Sequence, residues 1–173
     1  VANAEVAAAG SVEVNAENET AIRNWAASGQ GGGAAGVAGS ALVTVVGSTT
    51  QAYITGSDLG SYEKRVGGVS VQARDRLLSE NRAGAVGLGV TGVGVGAGAA
   101  VTSVNSTTSA YVDGSRVYSQ NDLLVQAEAE RDISTIAVSA GVGSGAGLGG
   151  TAVVTLIGRK LSGDVMQELD TGG

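Results

Sequence analysis

Closely spaced carboxylates are the first residues in this chain with a chemistry to offer. Glu17 with Glu19, Glu128 with Glu130 and Asp132, and Asp75 with Glu80 are the candidate pairs, and two carboxyl groups flanking a bond are what glycoside cleavage needs. Against that use, Glu17 and Glu19 alternate with Val14 and Ala16, which puts them on the solvated face of a strand. Their counterparts one repeat later are Arg74 and Arg76, opposite in sign, and the next counterparts are Glu128 and Glu130. Stacked repeats would set these as minus, plus, minus across neighbouring strands, each pair contributing roughly a few tenths of a kcal/mol to about one. A solvated charged rim is the expected role, and no catalytic residue is assigned.

Other motifs fail on context. Gly87-Leu88-Gly89-Val90-Thr91-Gly92 and Gly145-Ala146-Gly147-Leu148-Gly149-Gly150 fit the G-x-G-x-x-G dinucleotide pattern. A pyrophosphate site needs a helix N-terminus after the glycines, whereas Val93 to Val104 and Thr151 to Ile157 are β-branched and strand-like. No cofactor is expected. Metal binding is equally unsupported: the chain has no His and no Cys, and its glycine-rich blocks lack the Asp of a calcium-binding β-roll. Asn18-Glu19-Thr20 and Asn105-Ser106-Thr107 are glycosylation sequons, making Asn18 and Asn105 candidate modification sites. Of the few aromatics, Tyr53 and Tyr111 recur in register, and a buried structural place is expected for both.

Composition bounds the partners. With no Phe, one Trp and 30 Gly in 173 residues, the interior must be filled by Val, Ala, Leu, Ile and Gly, a poor recipe for a thick globular core. The net charge of −6 argues against nucleic acid or an anionic membrane as partner. No charged n-region and short apolar run opens the chain, as expected of a segment that lost its signal or was cut from something longer.

Organisation is the strongest signal. Val14-Asn15-Ala16, Val71-Gln72-Ala73 and Val125-Gln126-Ala127 align at spacings of 57 and 54 residues. Between them, Thr49-Thr50-Gln51-Ala52-Tyr53-Ile54 matches Thr107-Thr108-Ser109-Ala110-Tyr111-Val112, with a degenerate copy ending at Val165. The marker residues Val14, Ala16, Ala52, Tyr53, Val71, Ala73, Ala110, Tyr111, Val125 and Ala127 are the expected core of each repeat. Charge follows the same period: Asn24 to Ser57, Ala83 to Val112 and Ile133 to Gly158 carry none and hold most of the glycines. These neutral blocks are long enough for membrane helices. Their residues alternate with period 2, as in Gly92, Gly94, Gly96 and Gly98 against Val93, Val95 and Ala97, which is the strand signature.

Repeated β units with small-residue faces predict an all-β, repetitive parallel β-helix, or β-solenoid, whose glycine faces let layers approach closely. The expected organisation is one solenoid segment of three repeats, about 1–54, 55–112 and 113–165, with a short C-terminal remainder. A unit of this length exceeds a typical coil, so two or three coils per repeat are expected. The Val-[Asn/Gln]-Ala-Glu marker, the Gly/Ala-rich run after it and the Thr-Thr-x-Ala-Tyr-[Ile/Val] close resemble the repeats of large leukotoxin-type filamentous adhesins, relatives of the filamentous haemagglutinins exported by two-partner secretion. That resemblance implies a right-handed coil, secretion to the bacterial cell surface, and a shaft role in attachment to host or bacterial surfaces. The expected partners are neighbouring repeats of the same or an identical chain and a surface ligand, with no membrane insertion. A self-assembling filament or matrix subunit is the alternative, and a polysaccharide-acting β-helix enzyme a third.

Overall fold

The computed structural model describes residues 1–7 and 10–158. The degenerate marker at Val165 and the C-terminal remainder lie outside the described residues. Among the described residues nine strands form: β1 (Glu5–Val6), β2 (Val12–Gly32), β3 (Ala35–Thr55), β4 (Asp58–Leu59), β5 (Val69–Gly89), β6 (Val93–Asp113), β7 (Arg116–Val117), β8 (Leu123–Gly143) and β9 (Ala146–Ile157). They make three parallel sheets, ordered β1-β4-β7, β2-β5-β8 and β3-β6-β9. Each repeat gives one strand to each sheet, and the chain is an all-β parallel β-helix. Among the described residues no helix is long and apolar enough to cross a membrane.

The sheet order corrects the expected coil count, because each repeat makes one coil and not two or three. The reason is strand length. β2, β3, β5, β6 and β8 each run 21 residues, several times the ordinary strand of about 5–6 residues, so two long strands, one short one and their turns consume the whole repeat. Uninterrupted alternation permits this length, since no proline breaks any ladder.

The chain forms two compact units. Among the described residues, the first holds those of 1–20, 48–77 and 107–131, and the second those of 21–47, 78–106 and 132–158.

All three sheets contribute to the first unit. Its core is Ala52, Ile54, Leu59, Val66, Val69, Val71 and Ala73, with Val14, Ala16 and Ala110 packed against it. Val125 is 42% exposed and Ala127 is also exposed. Both were expected in the core, but β8 is the last strand of its sheet and has a neighbour on one side only. Tyr53 and Tyr111 correct a second expectation. Ala52 and Ile54 point inward, so alternation turns Tyr53 outward, and Tyr111 is 39% exposed. The two rings stack on each other instead, 5.4 Å apart and 9° from parallel. Positive φ at Gly56 and Gly114, equivalent positions in successive repeats, lets the chain turn out of β3 and β6.

Among the described residues the second unit has no short third sheet; β2-β5-β8 faces β3-β6-β9 directly, and connections such as Gly33-Ala34 between β2 and β3 turn the chain back. The approach there is too close for side chains. A Cβ on Gly94 would collide with the carbonyl oxygens of Val142 and Gly87, and one on Gly141 with those of Leu148 and Gly94. Glycine thus sets the spacing where two backbones touch.

Candidate functional site

Equivalent residues of successive repeats come together on the outer face of β2-β5-β8 in the first unit. Arg74 Nε lies 3.6 Å from Glu128 Oε2 and Arg76 Nε 3.3 Å from Glu130 Oε2. On the short sheet Arg116 Nη1 lies 3.6 Å from Asp58 Oδ1. Glu17, Asn18, Arg74, Asp75, Arg76, Glu128 and Glu130 line a cleft of about 350 Å³. With Glu128 and Glu130 side chains 59% and 63% exposed and each beside a guanidinium, the arrangement is a hydrated charge ladder. Such pairs contribute between nothing and about 1 kcal/mol each.

Asp75 and Glu80, paired by sequence proximity, do not converge. An odd separation on one strand puts them on opposite faces. Asp75 is 2% exposed, where its carboxyl group accepts from Asn18 Nδ2 at 2.7 Å and Ser48 Oγ at 3.3 Å. Glu80 Oε2 lies outside, 3.4 Å from Arg23 Nε. Asn18 is therefore turned inward with its amide nitrogen occupied. Asn105 alternates with the buried Val104 and lies on the outer face of β6, half-buried. The segment 87–92 spans the end of β5 and the turn into β6, and the segment 145–150 is mostly the start of β9. Among the described residues no group of three or more acidic residues is placed to hold a metal ion.

The interior of the second unit holds a polar network that no sequence motif marks. Asn24 Nδ2 donates to Thr44 Oγ1 at 2.9 Å and to Asn81 Oδ1 at 3.2 Å. Thr44 Oγ1 donates to Asn81 Oδ1 at 2.8 Å, and Asn81 Nδ2 donates to Thr102 Oγ1 at 2.9 Å and Ser79 Oγ at 3.0 Å. The Thr102 and Thr135 hydroxyls lie 3.0 Å apart. Asn24, Asn81 and Thr135 are one position in three repeats; Thr44 and Thr102 are one position in two. The signal was present in the sequence: the period-2 count that puts Val71 and Ala73 inside continues through Asp75, Leu77, Ser79 and Asn81.

The outer faces of this unit are the reverse. Val37, Val43, Val45 and Leu148 are 57–67% exposed on β3-β6-β9, and Val138 and Val142 are about 60% exposed on β2-β5-β8. Within this unit the β3-β6-β9 outer face carries no charge, whereas Arg23, Glu80 and Arg82 stand on that of β2-β5-β8; exposed apolar patches of this kind mark contact surfaces.

Family models, curated proteins and solved structures were compared with the chain. None matches. The chemistry on offer is therefore read from the geometry: register-locked stacking, charge ladders outside, and broad apolar outer faces.

Proposed function

We propose that this chain is a structural shaft and adhesive segment of a large secreted or cell-surface bacterial adhesin, of the filamentous haemagglutinin-like kind, and that it has no enzymatic role. The observation that carries this reading is one coil per repeat with equivalent residues in register. Such a repeat can be added indefinitely, each copy burying the face of the last, which is how a long surface structure is built from one short sequence. The resemblance of the Val-x-Ala and Thr-Thr-x-Ala-Tyr markers to adhesin repeats supports it. Its partners are neighbouring repeats and a ligand on a host or bacterial surface. Immunogold labelling of the producing cell tests the placement: label on the outer surface or in the medium is expected, and label confined to the cytoplasm overturns it.

A second reading has its own observation. The exposed Val37, Val43, Val45 and Leu148 on an uncharged outer face suit lateral packing into an extracellular filament or matrix. Size exclusion with negative-stain microscopy separates the two. A monomer at micromolar concentration supports the shaft, and long fibrils support the filament.

A further inference from the structure

Trp25 is the chain's one tryptophan and is 81% exposed on the outer face of β2. An indole so placed leaves a large apolar surface in water. The residue at its register on β5, 57 positions later, is Arg82; one rung away on the same face, Arg23 Nε and Glu80 Oε2 are paired at 3.4 Å. These four side chains, with Asn24, line a cleft of about 200 Å³ within the second unit. Glu80 is the ion-pair partner of Arg23, whereas Arg82 has no such partner among the described residues. An unpartnered guanidinium therefore stands beside an uncovered indole, with a carboxylate on the adjoining rung.

We propose that this cleft binds an anionic carbohydrate, one sugar ring bearing a carboxylate in an oligosaccharide of the uronic-acid class. The flat indole offers its electron-rich face to the C–H face of a pyranose ring. The Arg82 guanidinium presents a planar fork of donors that matches a carboxylate two bonds at a time. Glu80 accepts from ring hydroxyls. Each group has a use only for a ligand that is flat, hydroxylated and singly anionic; an acidic peptide would supply the anion while leaving Glu80 facing another carboxylate. Trp and Arg are also the side chains that most often carry binding energy at contact surfaces. The cleft stands on its own geometry, and only its use in attachment rests on the adhesin reading.

Because Trp25 is the single indole, its fluorescence reports the site directly. Titration with a short oligogalacturonide is expected to change the emission saturably, and added salt to weaken binding. The methyl-esterified oligomer, which keeps the rings and masks the charge, is expected to bind at least tenfold more weakly. Arg82→Ala should lose at least tenfold in affinity, with Arg82→Lys recovering part of it, and Trp25→Ala should abolish binding measured by calorimetry. Both positions are on an outer face, so far-UV circular dichroism should be unchanged in all three variants. Three results would overturn the proposal: no spectral change up to about 1 mM oligomer, where any useful site would fill; an equal response to polyaspartate; or an emission shift driven by protein concentration alone, which would make Trp25 a contact between copies. A null titration beside surface immunogold label would remove this site and leave the shaft reading in place.

Discussion

At the residue scale, the interior of the second unit sets a hydrogen-bonded polar network among small buried apolar side chains such as Ala38, Ala83, Ala85 and Ala100. Asn81 is 1% exposed and joins Asn24, Thr44, Ser79 and Thr102. Truncation would strand several buried polar groups at once, each costing about 1–3 kcal/mol. Asn81→Ala should therefore lower the unfolding free energy by roughly 3 kcal/mol or more, read as a shift in denaturant midpoint at constant m-value. Asp75→Ala should cost about 1–3 kcal/mol by leaving Asn18 and Ser48 without their acceptor. Arg76→Glu tests the outer ladder: with Glu19 and Glu130 at its register, three carboxylates would adjoin, costing about 1 kcal/mol, and added salt should restore most of the loss. The charge ladder was legible in the sequence because signs alternate between repeats. The polar interior was not, because residue type alone sets Asp75 beside Glu80, and no motif marks Asn81; only the parity of their positions carries both inward.

At the element scale, the long strands exist because alternation runs unbroken for 21 residues, and glycine decides how near two of them come. Gly94→Ala would push a Cβ into the Val142 and Gly87 carbonyl oxygens. A loss of about 3 kcal/mol is expected, since the obstacle is backbone that cannot move aside. Gly150→Ala is the control. Nothing lies within 4 Å of its added Cβ, so this variant should be neutral or up to about 1 kcal/mol more stable, its unfolded chain having less freedom. Equal destabilisation of both, measured by thermal unfolding, would mean that glycine serves the strands through flexibility and not through closeness. Strand type, parallel stacking and the glycine faces were legible from period 2 and the repeat. Coil count was not, because ordinary strand lengths made a repeat of this size look like several turns. The placement of Tyr53 and Tyr111 was misjudged by treating aromatic size as burial, when the neighbours Ala52 and Ile54 already fixed which face they take.

At the scale of the whole molecule, everything follows from equivalent residues of successive repeats being laid side by side, one coil per repeat. The absence of cysteine from the chain makes this directly testable by introduced pairs. Gln72 on β5 and Gln126 on β8 are equivalent outward positions, about 4.8 Å apart on neighbouring strands, within the Cα range a disulfide accepts. Glu130 is four residues further along β8, about 13 Å away from that position. Under mild oxidation at low protein concentration, Gln72→Cys/Gln126→Cys should close an intramolecular disulfide nearly completely, and Gln72→Cys/Glu130→Cys should not. Failure of the first pair to close, or equal closure of both, would contradict the stacking of one repeat on the next.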